Sequence, residues 1–421
     1  MPAADVVVVG AGLAGLTLAY HLCAPGASVP LSVVLVDAPP GPLRPPPRTW
    51  CFWEPPGGPY DTALAASWPR LRVRGADGTA TVVRPAPHRY KMLRSDAFEE
   101  LVERRLARAP ALRRVRATVT AVRDAPDGGG EVLALDERGE PLVLRGRRVF
   151  DSRPPRRLPP ARTTLLQHFM GWFVRTGRPV FDPATADLMD FRTPQPERGL
   201  SFGYVLPLSP YTALVEYTEF SRAALDTDGY LRALGHYTHD VLRLGEFRVT
   251  ARERGVIPMT DGRFPRREGH SVFRIGTAGG ATRPSTGYTF TAVQRQSRTV
   301  AARLRAGRDL RMPPPYGARP RAMDAVLLRA LDSGRVDGAE FFARLFREVP
   351  GERLLRFLDG STRLPEDLLI GLRTPVAPML RTVAELPFRA RRAPDPHEAD
   401  PHRVDPPPPP TPPTGHEEST A

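Results

Sequence analysis

Residues Asp5 to Asp37 constrain the fold more than any other part of the chain. Asp5 to Val9 carries four consecutive valines and reads as a buried parallel strand. Gly10-Ala11-Gly12-Leu13-Ala14-Gly15 follows at once. An apolar helix comes next, roughly Leu16 to Leu22, and then a second strand over Ser32 to Val36, closed by Asp37. Each glycine has a physical task. Gly10 permits the tight turn, Gly12 has no side chain to hold a pyrophosphate off the backbone, and Gly15 lets helix and strand pack closely. The helix N-terminus presents free N–H groups and partial positive charge to phosphates. Asp37, about 20 residues beyond the glycines, can accept ribose hydroxyls. Strand, glycines, helix, second strand and acid in this order predict a dinucleotide-binding βαβ unit, not a glycine-rich turn in an ordinary one. The segment does not read as a secretory signal, because Asp5 stands where Lys or Arg is expected.

The 421 residues, 41% of them hydrophobic, suffice for a large core and two domains. The net charge of +14 invites a nucleic-acid partner, but the distribution argues against one. Lys91 is the only lysine, and arginine is spread along a chain that also has 50 prolines and 36 glycines, as a biased coding composition produces. No basic block is interleaved with aromatics, so no nucleic acid is expected; a basic surface still suits anionic lipid headgroups. Cys23 and Cys51 form neither a disulfide framework nor a metal pattern, which fits a reducing cytosol. No apolar run of about 20 residues is present to span a bilayer.

Arg48-Thr49-Trp50-Cys51-Phe52-Trp53 is either a core plug or the wall of a large apolar site. Arg94 precedes a helix for which Asp96 and Glu99 form an apparent capping box, and it can reach a cofactor phosphate or lie solvated. Strands are predicted over Val115 to Val122, Glu131 to Leu135, Leu142 to Phe150 and Thr163 to Val174. Ser201 to Leu208 pairs with Thr212 to Phe220 in a hairpin turned by Ser209-Pro210. Alternation along its second strand puts Glu216 on one face with Thr212, Leu214 and Thr218, and Glu219 on the other. A carboxylate among apolar neighbours acquires a raised pKa and can act as an acid, whereas a solvent-facing glutamate does not; the pattern leaves both open. Phe273 to Gly280 is another strand running into glycines. Pro284 to Phe290 then opens a helix reaching about Leu304, a second helix N-terminus that can hold negative charge. Beyond about residue 310 helices are predicted over Met323 to Leu331, Gly338 to Phe346 and Gly351 to Leu358. From Arg391 the chain is proline-rich, with polyproline character.

Several of these stretches resemble one family, the bacterial lycopene β-cyclases. They are the N-terminal fingerprint, RTWCFW (Arg48 to Trp53), YKMLRSDAF (Tyr90 to Phe98), VFDSRPP (Val149 to Pro155), YVLPLSPYTALVEYTEFS, RGVIPMT (Arg254 to Thr260) and GTAGGATRPSTGYTF (Gly276 to Phe290). Related flavin hydroxylases usually carry Gly-Asp-Ala where this chain has Gly276-Thr277-Ala278. The cyclases' acidic motif, Leu-Ile-Glu-Asp-Thr or Phe-Leu-Glu-Glu-Thr, falls on Leu214-Val215-Glu216-Tyr217-Thr218, so the second acid is replaced by Tyr217.

The resemblance implies an α/β flavoprotein with a Rossmann-type FAD domain (1–154 plus 251–305) and an inserted antiparallel-sheet substrate domain (155–250). A helical part (306–390) and a proline-rich tail (391–421) would follow. It implies Glu216 as the catalytic residue. Gly10, Gly12, Gly15, Asp37, Arg94, Asp151, Gly276, Gly279, Gly280, Thr286 and Gly287 would hold the cofactor. Trp50, Phe52, Trp53, Phe169, Trp172 and Phe173 would line the substrate site, with no metal. The implied activity is non-redox cyclisation of lycopene or a related acyclic carotene, with reduced FAD and NAD(P)H as electron donor. The protein would be cytoplasmic and attached peripherally to a membrane through an apolar patch and arginines. The competing reading is an FAD-dependent monooxygenase or related oxidoreductase acting on an apolar isoprenoid; a flavin-free binding protein is disfavoured by the two glycine-rich helix openings.

Overall fold

The computed structural model describes residues 4–24, 31–44 and 46–393. The valine strand, Ala4–Val9, sits inside a seven-stranded sheet, between Val33–Asp37 and Pro141–Asp151, and runs parallel to both. Its alternation serves two cores. Val6 and Val8 face the helix Leu13–Leu22, while Val7 and Val9 pack with Val132, Leu144 and Val149 on the opposite face. Burial on both sides is why the strand is uninterruptedly apolar. The helix Phe290–Arg305 packs beside Leu13–Leu22.

The single strand expected over Val115 to Val122 is two strands. Leu112–Arg116 runs parallel to Val33–Asp37, and Thr118–Asp124 is antiparallel to Gly130–Leu135. The change of partner falls at buried Ala117, whose N–H bonds the Asp37 carbonyl at 2.9 Å. Local sequence does not register a change of partner. The capping box is likewise absent. The helix starts at Ser95, directly off the strand Arg89–Arg94; Asp96 accepts only from Ala97 N–H, and Glu99 is paired with Arg44 at 3.0 Å.

A second seven-stranded sheet has the order Phe247–Thr260, Thr164–Thr176, Thr212–Ser221, Leu200–Ser209, Thr185–Asp190, Arg70–Arg74, Ala80–Val83. It draws two strands from residues 70–83, outside the 155–250 span expected for it. One face shares a core with the helices Ala318–Asp332, Gly338–Glu348 and Gly351–Leu358. The other is covered by the helix Thr227–His236 through Tyr230 and Leu234. A small sheet of Thr49–Glu54, Arg89–Arg94 and Leu64–Trp68 adjoins the first face, with Trp53, Trp68 and Tyr90 in the same core. Two further helices, Leu364–Gly371 and Val376–Glu385, close the described chain. The tail expected from residue 391 lies outside the described residues from position 394 onward.

Candidate active site

The N-terminal glycines are placed as their spacing requires. A Cβ at Gly15 would lie 1.8 Å from the Gly10 carbonyl oxygen, so the helix can approach the strand turn only with glycine there. At Gly12, the N-cap of the same helix, an added Cβ would meet nothing within 4 Å, leaving open space at the helix N-terminus. Gly10 has φ 90° and abuts Ser152. Gly276 sits against Ala14, so the second glycine segment packs on the helix opened by the first; Gly279 and Gly280 complete its short turn. Asp37 ends the second strand with its carboxylate 3.8 Å from Arg44.

Two expected cofactor contacts are taken up within the protein. The Asp151 carboxylate is fully buried and accepts from Arg153 and from Arg274 at 3.1 Å. Arg94 donates to Glu253 at 3.0 Å and to the Thr49 hydroxyl at 2.8 Å, and its guanidinium lies over the Phe173 ring at 5.0 Å. That places Arg94 at the second sheet, in the site of Glu216.

Glu216 is the centre of a row across that sheet. Its strand partners are Tyr204 on one side and Gly171 on the other, and Gly171 in turn pairs with Glu253. Strand geometry puts all four on one face. Gly171 contributes no side chain, so a gap separates the two carboxylates; a Cβ there would lie 3.6 Å from Glu216 Oε2. Burial pushes the Glu216 carboxyl up to about 8, against the pull of the Thr218 hydroxyl that donates to it at 2.7 Å, and the nearby Glu253 carboxylate raises it further. Glu253 differs in having three donors: Arg94, the Thr49 hydroxyl and Thr49 N–H. One carboxyl is thus poised to be protonated at neutral pH, and the other is held by an arginine.

The surroundings are aromatic. The Tyr90 hydroxyl meets those of Tyr204 and Tyr288, the latter at 3.0 Å, and Trp53 packs edge-on to Tyr288 at 4.6 Å. Of the six aromatics expected at the substrate, Trp53, Phe169 and Phe173 stand on this side. Trp172 does not. It is one residue out of phase with Phe173 and packs with Tyr217 and Tyr230 beneath the helix on the opposite face. Trp50 and Phe52, out of phase with Trp53, pack on Phe98 and Phe290 in the core of the dinucleotide unit. Glu219 also points away, as alternation predicts, accepting from the Tyr217 hydroxyl at 3.0 Å. Tyr217 therefore lies outside the Glu216 site. His168, on that same side, bonds Tyr230 and Ser221, and burial lowers it to about 4, so it stays neutral.

The loop before Phe290 closes the site. Gly287 (φ 70°) is pressed against Gln167, where a Cβ would lie 2.2 Å from Oε1. Gln167 Oε1 and the neighbouring Thr286 Oγ1 are buried without a hydrogen-bond partner among the described residues. Buried polar atoms are rarely left so, and two together at a glycine loop suit a polar ligand edge. Sequence reading missed Tyr204, Tyr288, Gln167 and Glu253. Tyr204 and Tyr288 lie within the quoted family stretches, and the hairpin register sets Tyr204 opposite Glu216; Gln167 and Glu253 carried no such signal.

A family profile described as lycopene cyclase protein matches residues 5–384. The chain belongs to the lycopene cyclase family. It is 29% identical over 404 residues to a lycopene beta-cyclase of Paracoccus sp. (strain N81106 / MBIC 01143), spanning 91% of this chain and 94% of that protein. Among solved structures, a flavoprotein/dehydrogenase from Cytophaga hutchinsonii superposes with a TM-score of 0.61 at 13% identity, covering 90% of this chain and 98% of that one. An aklavinone-11 hydroxylase in ternary complex with FAD and aklavinone gives 0.55 at 19% identity, over 80% and 70% of the two chains. The fold of this lycopene cyclase family member is thus that of Rossmann-type flavoproteins, as the family resemblance implies. Among its described residues, no helix is long and apolar enough to cross a membrane.

Proposed function

We propose that this chain is a lycopene β-cyclase, an isomerase of the intramolecular-lyase class that closes β-ionone rings on the linear ends of lycopene or a related acyclic carotene. Glu216 carries the reading. It is a carboxyl held protonated near neutrality on an apolar, aromatic sheet face of a lycopene cyclase family member. Glu216 gives its proton to the terminal double bond of the carotene, leaving a tertiary cation. The nearby double bond attacks that cation and closes the ring. Loss of a ring proton then forms the new double bond, and the ionised Glu216 takes that proton back. No electrons are gained or lost. Trp53, Phe169, Phe173 and Tyr288 exclude the water that would trap a cation, and their ring faces favour positive charge.

The residues fit an FAD. The open space at Gly12 suits a pyrophosphate, Asp37 suits a ribose, and the unpartnered Gln167 and Thr286 oxygens suit a polar ring edge. Bound in its reduced form, with NAD(P)H as donor, FAD supplies a negatively charged ring system that stabilises positive charge nearby. The test is anaerobic. FAD-loaded protein is reduced once and given lycopene in liposomes, and cyclic carotenes in large excess over flavin electrons are expected. A requirement for oxygen and continual NAD(P)H would establish a monooxygenase instead.

The active form carries protonated Glu216, so kcat/KM should be flat near neutrality and fall as pH rises through about 8. Glu253→Gln removes one cause of the raised pKa, so the alkaline fall should move to lower pH. A pH–rate profile that stays put in this variant rules out electrostatic contact between the two carboxylates.

A further inference from the structure

We propose that the two C-terminal helices, Leu364–Gly371 and Val376–Glu385, dock this protein on an anionic lipid surface. Fourteen large hydrophobic residues are exposed among those described, and eight of them lie between residues 364 and 388. Leu364, Leu368 and Leu372 recur every fourth residue and so share one helical face; Leu368 is 62% exposed and Leu372 67%. Leu380, Val383 and Phe388 continue the exposed series. A helix packed on a globular core turns its apolar stripe inward. Here much of the apolar surface faces out, and polar groups help anchor the helices. Asp367 is buried against Arg319 and the Thr362 hydroxyl, and Thr382 is fully buried. Eight exposed large hydrophobic residues within one 25-residue segment mark an interaction surface.

Charge selects the occupant. The three acids of the segment are each paired: Glu366 with Arg356, Asp367 with Arg319, and Glu385 with Arg329 at 2.8 Å. Arg363, Arg381 and Arg392 are exposed and, among the described residues, have no carboxylate within ion-pair distance. Exposed leucines in a segment whose exposed arginines lack a carboxylate partner among the described residues match an acyl layer under anionic headgroups. A second copy, meeting this face with the same face, would set arginine against arginine. The chain from 394 to 421 offers Val404 as its one large apolar residue, too little to cover the leucines. The proposal goes beyond the cyclase reading and stands without it, though it gives that reading's membrane-borne substrate a route in.

The test uses the full-length, FAD-loaded protein and carotene-free vesicles, either of phosphatidylcholine alone or with phosphatidylglycerol added. Sedimentation should show binding to the anionic vesicles. A Leu368→Ser/Leu372→Ser/Leu380→Ser variant should bind at least about tenfold more weakly, with its unfolding temperature unchanged because these side chains face solvent. Arg363→Gln/Arg381→Gln/Arg392→Gln should lose the preference for phosphatidylglycerol. Undiminished binding by the leucine variant overturns the proposal. So does a wild-type dimer in solution that the leucine variant splits while neither form binds vesicles. Wild-type protein that binds the anionic vesicles but does not cyclise lycopene counts against the catalytic reading alone.

Discussion

Glu216→Gln should reduce cyclisation by roughly 10²–10⁴-fold, the range typical for loss of a positioned general acid. Glutamine keeps the shape and can still accept from the Thr218 hydroxyl, so flavin content and carotene binding should survive. It cannot give up a proton strong enough to protonate an alkene. The same substitution should stabilise the protein, and the sign follows from the pKa. The folded carboxyl titrates at about 8 and an unperturbed one at 4.5, so the folded state holds its proton more tightly. Below the unfolded value both states are protonated and nothing is lost. As pH rises from there through about 8, the unfolded state ionises first and is favoured. Glutamine has no such penalty. The variant should match wild type near pH 4 and exceed it at neutral pH by roughly 1–3 kcal/mol. Urea unfolding at both pH values, alongside product analysis, checks the pair of effects. An inactive variant that is also less stable at neutral pH would mean that Glu216 is structural.

The second large effect separates two glycines three residues apart. Gly15→Ala drives a methyl group to 1.8 Å from the Gly10 carbonyl oxygen, a backbone atom that cannot move without displacing the valine strand's turn. We expect a loss of about 1–3 kcal/mol or more, as for overpacking in a closed core, together with loss of bound flavin. Gly12→Ala meets nothing within 4 Å and should leave the apoprotein's stability unchanged. The added methyl would occupy the space a pyrophosphate needs, so flavin retention alone should fall. Thermal unfolding of the apoproteins and flavin fluorescence of the purified forms distinguish the two. If Gly12→Ala keeps its flavin as wild type does, the open space at Gly12 is not where the phosphates sit.

Reading by alternation succeeded where one strand pair decided the outcome. The hairpin forms, with its turn at Pro210-Tyr211, one residue beyond the expected Ser209-Pro210 because Ser209 pairs with Thr212, and Glu216 and Glu219 lie on opposite faces as their spacing requires. The same rule, applied to the aromatics, separates Trp172 from Phe173 and Trp53 from Trp50 and Phe52, although all six stood together as candidates. Arg94 shows a different limit. Its position at the end of a strand suits a phosphate, yet its partner Glu253 lies far along the chain and comes beside it only when Phe247–Thr260 pairs with Thr164–Thr176.

The dinucleotide unit is legible along the chain because its signals are local: a run of valines, three glycines at fixed spacing, a short helix and a terminal acid. Which neighbours on its own strand share a face with Glu216 is legible too, because side chains alternate along any strand. That this face is enclosed, that Glu253 stands across a glycine from Glu216, and that the last two helices turn leucines to solvent emerge only on folding. Desolvation and charge–charge proximity depend on what packs over a residue, and here the covering elements come from segments that contact one another only in the folded chain.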